Sequence, residues 1–213
     1  MQPDVPTLLF HPPLLTIPEA IAAVARAWPM VVEECRSVLG GELGYQAIIY
    51  HCLRHAGVPR NQLGMNVKQW IETPVTSLFQ GLDSRKHIDY RGGFEPIPDI
   101  VIFKPEIAAD WRRRNHALSL RTMLAAIEVK ASERDKGRLG PAEIIRDIRK
   151  LAAQKIEIVH LGADMQPVMM IIDTAPLRAE RMTKTAIEAA KKLAAELQVA
   201  FFYVSQNDAS AVF

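Results

Sequence analysis

With 213 residues, 49% of them hydrophobic and 23% charged, the chain has the composition of a globular protein and not of a disordered or fibrous one. Its formal net charge of +2 is too small to point to a nucleic-acid partner by itself, so any basic surface has to be local. Cys35 and Cys52 stand in no C-x-x-C or Cys/His spacing, which argues against a zinc site or a disulfide framework and for reduced thiols.

Met1 to Ile17 is proline-rich and reads as an extended arm, with no basic segment leading into an apolar one as a secretory leader would have. No apolar run approaches the roughly 20 residues that cross a bilayer, so a soluble, cytoplasmic protein without a membrane partner is expected. Pro18-Glu19 opens a helix that Pro29 should kink or end. A second helical piece is expected from Met30 to Val38, stopped by Gly40-Gly41.

A helix follows from Glu42 to about Ala56, before Gly57 and Pro59. Glu42, Gln46, Ile49 and Leu53 share one stripe of it, which puts an acid on an inward-facing side; a first-turn carboxylate favoured by the helix dipole is the competing reading. Residues 74–79 suggest a strand, and His87-Ile88-Asp89-Tyr90-Arg91 alternates like another that could pair across Gly92-Gly93. Asp89 is then a rival acid to Asp99.

Asp99-Ile100-Val101-Ile102-Phe103 and Ala126-Ile127-Glu128-Val129-Lys130-Ala131 are β-branched, apolar runs that read as central strands. Alternate side chains of a strand share a face, so Glu128 and Lys130 point one way while Ile127 and Val129 point into packing on the other. If the Asp99 strand pairs alongside, two carboxylates and an ammonium meet, a set of hard oxygens and a cation suited to a divalent metal. An exposed sheet face with a cross-strand salt bridge is the alternative, worth under about 1 kcal/mol. The apolar strands argue against it, because they suggest a sheet covered on both faces, where an unpaired carboxylate is costly.

Between the two strands lies Trp111-Arg112-Arg113-Arg114-Asn115-His116, with Arg121 beyond. Arginines beside an aromatic fit phosphate contacts and stacking on a base, although a solvated surface over a buried Trp111 would give the same pattern. From Asp99 to His160 there are thirteen lysines and arginines against nine acids. A polar loop from Ala131 to Gly140 should stand at the mouth of the site.

Pro141 starts the clearest helix, with Ile144, Ile145, Ile148, Leu151 and Ala152 as its apolar stripe. Asp147 and Lys150 border that stripe, three residues apart, where an ion pair on the helix surface is also expected. Residues 168–172 form a buried strand ended by Asp173-Thr174-Ala175-Pro176, in which Asp173 reads most simply as a turn former. A helix from Ala179 to Leu197 and a strand from Val199 to Val204 complete the pattern. No glycine-rich phosphate loop occurs, which argues against an ATPase or a dinucleotide enzyme.

Pro98-Asp99 at the head of one strand and Glu128-x-Lys130 in the next resemble the PD-(D/E)xK nuclease superfamily, and the order of elements from Glu42 to about Val204 is similar to its core. The resemblance implies an α/β restriction-endonuclease-like fold with a central mixed sheet of four to five strands flanked by helices in the order αβββαβ. Residues 42–213 would be that core, and 1–41 an arm and helical extension. It further implies a Mg²⁺-dependent endonuclease (Mn²⁺ as an alternative ion), with Asp99, Glu128, the Val129 carbonyl and, directly or through water, Glu42 as metal ligands and Lys130 beside the reacting phosphate. Gln46, Asp147, Lys150, Arg112, Arg113 and Arg114 become supporting or substrate-binding candidates, and the partner is nucleic acid, DNA rather than RNA, with a homodimer as one arrangement. The alternative is an inactive module on the same fold that acts by binding protein or nucleic acid.

Overall fold

The computed structural model describes residues 11–110, 112, 116–133 and 137–213. They form an α/β architecture: one open, mixed sheet of six strands with helices on both faces. The strands are β1 (Leu63–Met65), β2 (Ile100–Phe103), β3 (Met123–Ala131), β4 (Gln166–Asp173), β5 (Ala200–Ser205) and β6 (Ala209–Val212), and they lie in the sheet in chain order. β2 runs antiparallel to both β1 and β3, the strands β3, β4 and β5 run parallel, and β6 returns antiparallel on β5.

Helix α1 (Ile17–Ser37) opens with a capping box in which the Thr16 hydroxyl accepts from the Glu19 N–H and the Glu19 carboxylate accepts from the Leu15 and Thr16 N–H groups. With α2 (Glu42–His55) it covers one face of the sheet, burying Ala23, Val24, Trp28, Ile49 and Leu53 against Ile127, Val129, Met170 and Phe202. The opposite face carries α5 (Pro141–His160) and α6 (Lys184–Glu196), the two helices that make the parallel crossovers β3-α5-β4 and β4-α6-β5. Two shorter helices, α3 (Ser77–Ser84) and α4 (His116–Arg121), precede β2 and β3.

Several expectations need correction. Pro29 does not divide the first helix: α1 runs through it, because Pro29 is on the exposed side and the buried Ala27, Trp28 and Val31 hold both halves against the sheet. Residues 74–79 are not a strand. Thr76 caps α3, and the buried Glu157 of α5 accepts hydrogen bonds from the Val75 and Thr76 N–H groups and the Thr76 hydroxyl, a tertiary contact that outweighs local β propensity. The alternation at residues 87–91 is a surface turn around Ile88–Tyr90, with Ile88 and Tyr90 both exposed. Instead of beginning at Ala179, the late helix begins at Lys184, capped by Thr183.

The sheet has six strands, one more than the upper count of the four to five expected, because the short strands β1 and β6 form its two edges. β1 is three residues long with a central glycine, and β6 is Ala-Ser-Ala-Val with no buried position, so neither carries a hydrophobic period. Helix α1 is also part of the main core, and Arg36 near its end donates to the Ser205 carbonyl of β5. Among the described residues no helix is long and apolar enough to cross a membrane.

Pro29 lacks the N–H that would bond the Ala25 carbonyl, and its exposed position leaves room for a smaller side chain. Pro29→Ala is expected to stabilise the fold by about 1 kcal/mol, the restored helix bond exceeding the extra freedom of the unfolded chain. Urea unfolding of the two proteins measures this, and a lower midpoint for the variant would contradict it.

Candidate active site at the fork between β2 and β3

The register of β2 on β3 places Ile100 opposite Ile127 and Ile102 opposite Ala125. Continued by two residues, it would set Pro98 opposite Val129. A proline has no N–H to give the Val129 carbonyl, so the ladder stops and the two strands part. Asp99 lies in the gap, just before β2 begins. Its main-chain carbonyl still accepts from the Asn66 N–H at 2.9 Å, while its carboxylate turns to β3 and accepts the Val129 N–H at 2.7 Å.

The second Asp99 oxygen accepts from Gln46 Nε2 at 2.8 Å, and Gln46 Oε1 lies 3.5 Å from Asn66 Nδ2. The inward stripe of α2 thus brings Gln46 to the acid. Glu42, one turn earlier, reaches the Lys130 ammonium with both carboxylate oxygens at 3.3 Å. Its helix start is held by Glu133, whose carboxylate accepts the Glu42 N–H at 2.8 Å. A Cβ at Gly41 would stand 2.8 Å from that Glu133 oxygen, so a larger residue there would push the Glu133 carboxylate aside.

Lys130 is the centre of the charge cluster. Its Nζ lies 3.2 Å from Glu128 Oε1, 3.2 Å from the Val129 carbonyl oxygen and 3.8 Å from Asp147 Oδ2. Asp147 is buried on α5, and its other oxygen takes Lys150 Nζ at 2.9 Å. Glu128 and Lys130 share a sheet face as expected, while Ile127 and Val129 are buried on the other against α1 and α2. The expected helix-surface pair of Asp147 and Lys150 is present, and it also belongs to the site.

Four carboxylates, those of Glu42, Asp99, Glu128 and Asp147, therefore face two ammonium groups. Burial pushes the Asp99 carboxyl up to about 6, opposed by the Val129 N–H and the Lys130 charge. Burial and the neighbouring Asp99 charge push Glu128 up to about 7. At Lys130 burial works against the charge, but Glu128, Glu42, Asp147 and Asp99 outweigh it and hold the ammonium above the ordinary lysine range. A cavity of about 250 Å³ opens onto Glu128, Asp147 and Lys150, walled by Phe94, Pro96 and Pro98.

Other candidates fall elsewhere. Arg112 is exposed and its guanidinium is paired with the Asp110 carboxylate. Arg113 and Arg114, with Trp111 and Asn115, lie outside the described residues. Asp89 is exposed beside His87, so it does not compete with Asp99. Asp173 is more than a turn former: it is fully buried at the end of β4, accepting the Tyr203 hydroxyl and the Met182 N–H, each at 2.8 Å. Asn66 and Glu133 were missed by sequence reasoning. A lone asparagine after a three-residue strand and an acid in a polar loop carry no pattern that would single them out.

The donors are hard oxygens, the type that suits Mg²⁺, Mn²⁺ or Ca²⁺. In the arrangement seen, the Glu42, Glu128, Asp147 and Val129 oxygens converge on Lys130 Nζ while those of Asp99 accept from Gln46 and the Val129 N–H, and among the described residues no group of three or more His, Cys, Asp or Glu side chains is set to hold a metal ion. Compared with protein-family models, with characterised proteins and with solved structures, the chain matches none.

Because folding raises the Glu128 pKa from 4.5 to about 7, the folded chain holds a proton through that window that the unfolded chain has released. Ionising Glu128 therefore costs stability as pH rises across it. Glu128→Gln is expected to stabilise the fold by about 1–3 kcal/mol at pH 8, with the difference vanishing near pH 4.5. Thermal unfolding across that pH range reads it, and a variant less stable at pH 8 would contradict the assignment.

Proposed function

We propose that the protein is a divalent-metal-dependent nuclease of the PD-(D/E)xK type, hydrolysing phosphodiester bonds, with DNA as the first substrate to test. One observation carries this reading: the interruption at Pro98 gathers the Asp99 and Glu128 carboxylates, the Val129 carbonyl and the Lys130 ammonium at one fork beside an open cavity. An acid, a carbonyl and a lysine so grouped answer the two difficulties of the reaction, a negatively charged target and a poor leaving oxygen.

Asp99, Glu128 and the Val129 carbonyl would hold Mg²⁺ or Mn²⁺, with Glu42 directly or through water. Such an ion supplies Lewis acidity and lowers the pKa of bound water. Gln46 keeps the Asp99 carboxylate turned to β3, since it donates to the oxygen that Val129 does not use. Lys130, held protonated by the surrounding acids, is a fixed positive charge for a phosphoryl oxygen and not a base. Its flexible stem lets Nζ leave the Val129 carbonyl when substrate offers a phosphate in exchange. Asp147 and Lys150 form the cavity side of the cluster, where Asp147 steadies Lys130.

A second reading, a module of this fold that binds without cutting, is favoured by the inward-turned Lys130, which already satisfies the oxygens around it.

Calorimetry with Mg²⁺ and Mn²⁺ separates the two. The wild type is expected to bind at pH 7.5, Asp99→Ala and Glu128→Ala to lose binding, and wild-type affinity to fall at pH 5.5 as Asp99 and Glu128 take up protons. With plasmid DNA and mixed RNA as substrates, Lys130→Ala is expected to keep metal binding and lose at least ~100-fold in cleavage rate. Cleavage that persists in all three variants would overturn the nuclease reading, and a wild type that binds DNA without metal or cleavage would establish the second.

A further inference from the structure

A separate pocket of about 410 Å³ lies between the C-terminal end of β5 and the start of α6. Its walls carry Arg138, Arg178, Arg181 and Lys184, against Asp208 as the acid of the lining. Two of the three arginines are held by neutral groups: Arg138 Nε donates to the Ala179 carbonyl at 2.6 Å, and Arg181 donates to the Ala175 and Pro176 carbonyls at 2.6 and 2.9 Å. Those bonds fix the guanidinium groups without cancelling their charge.

The floor is equally fixed. Tyr203 and Ser205 come from β5, and buried Asp173 behind Tyr203 ties the 176–183 segment down through the Met182 N–H. The start of α6 at Lys184 adds the positive end of a helix of thirteen residues to the same cavity. A concave wall with two fixed arginines and further cations beside them suits phosphate, whose oxygens accept paired N–H bonds.

Position decides which phosphate. Arg138 lines this pocket and also the small cavity of about 30 Å³ bounded by Glu42, Glu133 and Glu143. Arg138 thus links the neighbourhood of the acid cluster, where Glu42 pairs with Lys130, to the pocket that holds the other three cations. Resting on the nuclease reading, we propose that this pocket binds backbone phosphates of the nucleic-acid strand that flanks the bond to be cut.

Arg178 and Lys184 are exposed and are the variants least apt to disturb the fold. Binding of a short labelled DNA strand, with metal chelated, is measured by fluorescence anisotropy over a salt series. The double variant Arg178→Ala/Lys184→Ala is expected to bind about tenfold more weakly, and its slope of log affinity against log salt to be shallower by roughly 1.5, as for two lost phosphate contacts. Lys191→Ala/Lys192→Ala, the same charge change further along α6, should move neither quantity. Unchanged affinity and slope in the first variant overturn the proposal. So does calorimetry in which inorganic pyrophosphate binds the wild type and not the variant while DNA binding is unaltered, since the pocket would then serve a free phosphate compound. Cleavage is scored separately. A weakened variant beside a wild type that never cuts leaves the pocket standing and removes the nuclease reading, whereas Asp99-dependent cleavage with an unchanged slope does the reverse.

Discussion

Because Pro98 cannot donate a hydrogen bond, the β2–β3 ladder ends at Ile100 and Ile127, and both polar groups of Val129 must find partners off the ladder. The N–H is taken by the Asp99 carboxylate and the carbonyl by Lys130. Everything polar at the fork follows from those two bonds. Asp99 is turned toward β3, so Gln46 of α2 can reach its other oxygen; Lys130 is held at the strand, so Glu42, Glu128 and Asp147 can gather around it.

The cluster is held against a cost. Asp99, Lys130 and Asp147 are almost fully buried, and burial drives the Asp99 and Glu128 carboxyls toward their neutral forms. Lys130 offsets part of that, but four acids against two lysines leave the site short of positive charge when all are ionised. A fold built for stability alone would place apolar side chains there, as it does at the neighbouring Ile127 and Val129. The excess of buried acid is the physical reason to look for a cation or a polar ligand at this place, and it is independent of any family resemblance.

A basic pocket accompanies the acidic fork. Acids concentrate where β2 and β3 part and arginines beside the end of β5, while Arg138 lines both the basic pocket and the small cavity of Glu42 and Glu133. A nearly neutral chain thus carries two strongly polarised regions, because the folding of separate segments, and not overall composition, sorts its charges.

The local chemistry of the chain already determined much of this. The two β-branched runs had to be buried strands, the period of two had to put Glu128 and Lys130 on one face, and the 3.6-residue period of α2 and α5 had to align Gln46 with Glu42 and set Asp147 beside an apolar stripe. Each of those statements concerns neighbours within one element, where backbone geometry dictates direction. The tertiary structure decided what lies between elements: that the β2–β3 ladder ends at Ile100 and Ile127, that Asn66 and Glu133 support the acids, that Glu157 holds Thr76, 81 residues away at the start of α3, and that Arg138 joins Arg178, Arg181 and Lys184. It also decided the edge strands, since β1 and β6 owe their conformation to partners already in the sheet. Such contacts depend on register and packing across long stretches of chain, and no periodicity of residues along one segment encodes them.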